Sequence, residues 1–161
     1  MASVINEAIL TIAVIVAASI FAAALTSGFQ NLSDAQKKTL SKLSEEFETR
    51  IEIIFADSQS GGFKVWVKNV GCRSIPQALI GEGSDLILQK VGETSLRIPY
   101  NAAQPPTWTY TILNDGDADG DWDPHETLEI SVQLGENPAE GDWLIEFTVY
   151  TGYGDQYTIS L

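Results

Sequence analysis

Residues 8–25 read Ala8-Ile-Leu-Thr-Ile-Ala-Val-Ile-Val-Ala-Ala-Ser-Ile-Phe-Ala-Ala-Ala-Leu25, 18 positions of which only Thr11 and Ser19 are not apolar. The uncharged run is longer still, because 26 consecutive residues, 8–33, separate Glu7 from Asp34. About 20 apolar residues in a helix cross a hydrocarbon core of about 30 Å. From Ala8 onward the large side chains are Ile9, Leu10, Ile12, Val14, Ile15, Val16, Ile20, Phe21 and Leu25. At about 0.3–0.6 kcal/mol each near the bilayer centre, these nine favour insertion by about 3–5 kcal/mol. Thr11 and Ser19 can bond to their own helix backbone and cost little. A secretory signal would show a basic start, a shorter apolar run and a small-residue cleavage site. No Lys or Arg precedes Lys37 here. The segment therefore reads as a retained membrane-spanning helix.

Small residues recur along it at intervals of four: Ala13 and Ala17, Ala18 and Ala22, Ser19 and Ala23. Such spacing lets helix backbones approach closely in lipid and predicts self-association through this helix. An Ala-rich span with no packing role is the plain alternative.

Beyond the span, Phe29, Leu32, Leu40, Leu43, Phe47 and Ile51 fall mostly at intervals of three or four, or sums of them. Asp34, Lys37, Lys38, Lys42, Glu45, Glu46 and Glu48 lie between them. A narrow apolar stripe with charged flanks suits a solvated helix that packs along one seam. One helix over 3–48 would be about 70 Å long at 1.5 Å per residue, a pilin-type stem. Gly28, or an N-cap at Ser33–Asp34, would break it. Asn31-Leu-Ser33 is an N-glycosylation sequon that follows the span too closely to be read as more than chance.

After about Thr49 the pattern changes to short alternating runs separated by Gly, Pro, Asn and Asp. Candidate strands are Arg50–Asp57, Phe63–Asn69, Ile75–Ile80, Asp85–Val91, Thr94–Pro99, Thr107–Leu113, Leu128–Leu134, Trp143–Tyr150 and Gln156–Leu161. Eight or nine strands that each hide one face need two packed sheets, an immunoglobulin-like antiparallel sandwich. The chain divides into a membrane-anchoring stem, 1–48, and a β-sandwich domain, 49–161. Trp66, Trp108, Trp143, Phe147 and Tyr150 read as core or strand-face packing.

The sharpest local signal is Asp115-Gly-Asp-Ala-Asp-Gly-Asp-Trp-Asp-Pro-His-Glu126, which fits the calcium-loop pattern D-x-D-x-D-G-x5-E. Alternate residues of a curled loop point inward, so Asp115, Asp117 and Asp119 converge and Gly120 permits the turn. Asp121 would offer its backbone carbonyl, Asp123 would ligate through water, and Glu126 would close the site with two oxygens. The flanks read as strands, so this is not an EF-hand, and the calcium would pin a loop between two strands. A solvated acidic hairpin turn is the plain alternative.

Charge narrows the function. The chain carries 22 acidic and 9 basic residues, net −13, and from residue 50 onward 17 acids face six bases. Nucleic-acid binding needs clustered Lys and Arg, so it is not expected. One Cys (Cys72) and one His (His125) leave little for disulfide, triad or His-metal chemistry. An all-carboxylate loop suits calcium better than a hydrolytic zinc. No enzymatic activity is expected.

The order of parts resembles a known family. Ala2, Ser3 and Glu7 lead into the apolar span; a Ser/Lys/Glu helix over Leu32–Phe47 follows, then a strand with Ile51, Ile53 and Ile54. Val65-Trp-Val-Lys-Asn-Val-Gly71 is close to the aromatic-valine-lysine-asparagine-x-glycine stretch of archaeal flagellar accessory proteins. The chain is similar in layout to the archaeal flagellar protein G family, a component of the archaellum stator. The resemblance implies a single-pass anchor in the cytoplasmic membrane with an immunoglobulin-like domain outside it. It also implies self-association into filaments and pairing with flagellar protein F, which binds the surface layer. Together these hold the motor still while the filament turns. The nearest rival is a secreted filament subunit, an archaellin or type IV-like pilin. Those precursors carry a short basic leader, which is not expected here unless the chain is already processed. The positive-inside rule points the other way on orientation, because Lys37, Lys38 and Lys42 follow the span. They lie 12 or more residues past Leu25, and the family layout is preferred.

Overall fold

The computed structural model describes residues 2–161; Met1 lies outside it, as do the side chains of Ala2, Ser3, Val4, Glu45 and Glu46. The charged flanks read at Glu45 and Glu46, and the Ala2 and Ser3 side chains quoted for the resemblance, thus lie outside the described residues. Two compact units emerge, 1–43 and 44–161.

Helix α1 (Ala2–Glu48) runs through Gly28 and Ser33–Asp34 without a break. Nothing packs within 4 Å of where a Gly28 side chain would begin. Within the first unit the large apolar side chains, from Ile5 to Leu43, are all exposed. Thr11 and Ser19 donate to the carbonyls of Glu7 and Ile15, both at 2.8 Å, so their hydroxyls are satisfied within the helix. By length and composition Ile5–Ser44 is able to cross a membrane. The helical stripe is shorter than the spacing suggests, because Ile51 begins the first strand and is buried.

The second unit is built from β1 (Ile51–Gln59), β2 (Gly62–Asn69), α2 (Gln77–Ile80), β3 (Asp85–Lys90), β4 (Leu96–Ile98), β5 (Thr107–Leu113), β6 (Thr127–Gln133), β7 (Asp142–Thr148) and β8 (Gly154–Ser160). All strand pairings are antiparallel, and the two sheets have the orders β1-β2-β6-β5 and β4-β3-β7-β8. Lettered A, B, C, C′, D, E, F and G in chain order, these are sheets A-B-E-D and C′-C-F-G, an immunoglobulin-like arrangement. The alternation read from sequence fixes which face is hidden. Phe63, Val65 and Val67 of β2, Leu128, Ile130 and Val132 of β6, and Ile145 and Phe147 of β7 are buried. Each such side chain contributes about 1.5–3 kcal/mol of transfer free energy. Aromatic contacts cross the layers. Trp108 of β5 meets Phe147 of β7 edge-on at 5.6 Å, and Phe63 meets Trp143 at 5.3 Å.

The expected strand Ile75–Ile80 is absent. Ile75 makes only a single bridge with Trp122, and the chain then turns into α2. Pro76 is the reason: it has no N–H for a ladder, and its carbonyl accepts the Leu79 amide at 2.8 Å to start a helical turn. Trp108 and Phe147 are fully buried as expected, whereas Trp66, Trp143 and Tyr150 are half-buried on the flanks.

Candidate functional site

The span residues read from sequence all lie on α1, and Ala13, Ala17, Ala18, Ser19, Ala22 and Ala23 lie there too, exposed. Their backbone polar groups are taken up within the helix, which is the condition for entering lipid.

The acidic loop joins β5 to β6. Ligand oxygens of Asp115, Asp117 and Asp119 lie within 4.8 Å of one another. That spread fits a cation with oxygens at about 2.3–2.6 Å. Backbone curl produces it: Asn114, Ala118, Gly120 and His125 all have positive φ, between 59° and 82°. Gly120 takes the largest of these, a conformation costly to residues with a Cβ. Asp115 accepts the Ala118 amide at 2.7 Å and Asp119 accepts the Asp121 amide at 2.8 Å. The carboxylate of Asp121 turns outward to the Gln77 amide at 2.8 Å, as it is free to do where only the backbone carbonyl would ligate. Glu126 is buried at the base of the loop. Its oxygens accept the amides of Asp123 at 3.0 Å and Gly116 at 3.4 Å. Three of the six carboxylates are therefore gathered, while Asp121 and Glu126 brace the loop that carries them. The donor set is all oxygen and suits a hard cation.

What holds this loop was not visible in the motif. Trp122, inside the acidic run, is fully buried, and its indole N–H donates to the Glu126 carbonyl at 3.1 Å. Its backbone pairs with Ile75 through bonds of 2.8 and 3.0 Å. Asn69, at the end of β2, is also fully buried and reaches the same place. A Cβ at Gly71 would overlap the carbonyl oxygen of Glu48, so this position has no room for a side chain. The asparagine-x-glycine stretch read as a family signature is thus a packing junction. Its signal in the sequence was an Asn ending a strand two residues before a Gly. Near this junction, burial pushes the Tyr110 hydroxyl above its ordinary pKa, and the adjacent Tyr100 adds to the effect. The two rings stack at 5.8 Å.

The sequence matches the archaeal-type flagellins over residues 2–161. The chain belongs to that family. It is an archaellum-related structural protein with an apolar N-terminal helix and an immunoglobulin-like head. An uncharacterized protein of Archaeoglobus fulgidus is 29% identical over 155 residues, covering 92% of each chain. Among solved structures, the archaellum periplasmic stator protein FlaG of Sulfolobus acidocaldarius is 19% identical with a TM-score of 0.57. It covers 69% of this chain and 99% of its own. The archaeal flagellum of Methanospirillum hungatei strain JF1 is 16% identical with a TM-score of 0.58, covering 98% of this chain and 92% of its own. At these identities the likeness is one of fold. It agrees with the resemblance to the protein G family, and it extends to a filament as well as to a stator.

Proposed function

We propose that this flagellin-family chain is a non-catalytic, membrane-anchored component of the archaellum stator. Residues 8–25 hold it in the lipid as a single pass, and the β-sandwich stands outside the cytoplasmic membrane. Copies associate, and the head pairs with a partner like FlaF, through which the motor is linked to the surface layer. FlaG of S. acidocaldarius has been solved in a complex with FlaF, which supports this choice of partner. The work is mechanical, a load carried from a helix bundle to a fixed wall, and needs no catalytic residue.

The observation that carries the stator reading is the distribution of charge along α1. A helix packed in the middle of a filament hides most of its circumference. Past Asp34, α1 instead carries Lys37, Lys38, Lys42 and Glu48, leaving only Leu40, Leu43 and Phe47 to continue the stripe begun by Phe29 and Leu32. That suits a wet stem with one seam. The alternative is a secreted filament subunit, an archaellin or type IV-like pilin, assembled through α1. Its support is the M. hungatei likeness, which spans the helix as well as the head. Fractionation separates the two. The stator reading expects the chain in detergent-extracted membranes, at its full encoded mass and bound to an FlaF-like partner. Recovery mainly in sheared filaments, with a leader removed, would establish the filament subunit.

We further propose that the Asp115–Glu126 loop holds one calcium ion in a structural role. The gathered oxygens of Asp115, Asp117 and Asp119 support this reading.

A further inference from the structure

We infer that the outer face of the β1-β2-β6-β5 sheet is a two-fold contact between the heads of two copies of this chain. The inference rests on the self-association in the function proposed above, and it assigns a surface to it.

The face is set by a bulge. The register of β1 on β2 shifts between Ile53 and Phe55, so Ile54 is an extra residue. Ile54 and Phe55 are in consequence both about half exposed, at 48% and 51%. Across the bulge the outward pairs are Glu52 with Lys68, Phe55 with Trp66 and Asp57 with Lys64. Phe55 and Trp66 are in ring contact, with centroids 5.5 Å apart. Trp66 is held in place by a bond from its indole N–H to Glu129 at 3.2 Å, and Glu129 also receives Lys64 at 2.8 Å. The outward face of β1 therefore reads acid, aromatic, acid, and that of β2 reads base, aromatic, base.

This pattern is its own complement. A two-fold axis lying in the contact plane, parallel to the strands and between β1 and β2, sets each β1 over the β2 of the other copy. Heights along the strands are unchanged by that rotation. Glu52 then meets Lys68 of the second copy, Phe55 meets Trp66 and Asp57 meets Lys64. A symmetric contact needs this self-complementarity. An aromatic centre within a charged rim is the usual anatomy of a protein interface. The charge of the head limits where a second copy can approach. With six bases against 17 acids it repels copies of itself. Along β1 and β2 two lysines offset Glu52 and Asp57, and Glu129 of the neighbouring strand is already bonded to Lys64 and Trp66, so a copy meets far less repulsion here than elsewhere on the head.

The test uses the full-length chain in detergent, mixed in equal parts from isotopically light and heavy preparations and coupled with a zero-length carbodiimide. Cross-linked peptides joining Glu52 to Lys68 with one light and one heavy half are expected. Glu52→Lys and Lys68→Glu each leave positions 52 and 68 without a carboxylate–amine pair to couple, so they are read at the other end of the contact. There, light–heavy links between Asp57 and Lys64 should fall about tenfold, since the symmetry sets like charges together twice. The double variant carrying both changes should restore cross-linking with the roles reversed. All these positions lie at the surface, and circular dichroism checks that the variants fold. Cross-links with both halves light or both heavy only, or a double variant as weak as the singles, would overturn the inference. In either case the membrane fractionation above reads the stator proposal separately.

Discussion

The side-chain amide of Asn69 donates to the carbonyl of Trp122 at 2.9 Å, and both residues are fully buried. The same amide donates to the Arg73 carbonyl at 3.0 Å, and the Asn69 side-chain oxygen accepts the Gly71 amide at 3.0 Å. Its backbone donates to Glu126 at 3.0 Å and accepts from His125 at 2.8 Å. One residue thus ties together the end of β2, the segment leading to Ile75 and the base of the acidic loop. The same segment returns to the end of α1, where the Cys72 and Arg73 amides donate to the Glu48 carbonyl at 2.9 and 3.1 Å.

Replacing Asn69 by Leu keeps the volume similar but removes three hydrogen bonds from a fully buried side chain, those to the Trp122 and Arg73 carbonyls and that from the Gly71 amide, while the Trp122 carbonyl keeps the Ile75 amide. Each such bond contributes about 0.5–1.5 kcal/mol net, so a loss of about 3 kcal/mol is expected. Asn69→Asp removes the donor toward both carbonyls and should cost at least as much. Urea unfolding followed by tryptophan fluorescence measures both, with Trp122 as a reporter beside the change. A loss below about 1 kcal/mol would mean the junction is held by other contacts.

The strands were legible because burial follows a period of two. Leu128, Ile130 and Val132, for example, alternate with Glu129, Ser131 and Gln133, and the former are buried. The stem was legible because the lipid-length apolar run has no counterpart in a small soluble fold. Three features were not legible, each decided by distant contacts. Ile75–Ile80 has strand-like composition, but Pro76 and the bridge to Trp122 make it a bridge and a helical turn. Trp122 sits among carboxylates, and only tertiary packing shows it as core. The bulge at Ile54 leaves Phe55 out of phase with Ile53, which a strict alternation cannot anticipate. For the acidic loop, the pattern anticipated the convergence of Asp115, Asp117 and Asp119 but not the bracing role of Glu126.

Burial disfavours the charged phenolate of Tyr110, and Tyr100 adds to this, so its pKa lies above 10.0 in the folded head. The unfolded chain loses that proton first as the pH rises. The contribution of Tyr110 is therefore fully present below pH 10 and is lost as the pH climbs through the folded value. Tyr110→Phe should flatten the fall in stability above pH 10 while leaving neutral pH little changed. Equal alkaline slopes for the two proteins, from melting temperatures taken between neutral pH and about 11, would remove Tyr110 from the account.

Calcium added to the head should release or absorb heat with a stoichiometry of one. At about ten times the dissociation constant it should stabilise by about 1.4 kcal/mol, raising the melting temperature by about 4–6 °C. Asp117→Asn removes a charged ligand without disturbing the Asp115 and Asp119 bonds within the loop, and should abolish both effects. Magnesium should do little, because it demands tighter octahedral geometry than a curled loop supplies. No heat and no thermal shift with millimolar calcium would leave the loop as a solvated acidic turn.

Orientation sets two forces against each other. Lys37, Lys38 and Lys42 follow the span, and positive charges near a span favour the cytoplasmic side by the usual rule. The rule acts on charges within about 15–20 residues of a span, and long domains cross largely regardless of charge. These lysines lie 12 to 17 residues after Leu25, inside that window, so charge alone favours a cytoplasmic head, but the folded unit that follows, 44–161, is a long domain on which the rule has little hold. Charge thus does not decide the side, and the layout of the proposed stator role sets the expectation that the head lies outside the cytoplasmic membrane. Protease added to intact spheroplasts should cut within the exposed segments Gly92–Ser95 and Glu136–Glu140, which join strands of the head. A cytoplasmic marker protein should stay whole in the same sample. A protected head that becomes cleavable only after lysis would reverse the orientation and, with it, the link from motor to cell wall.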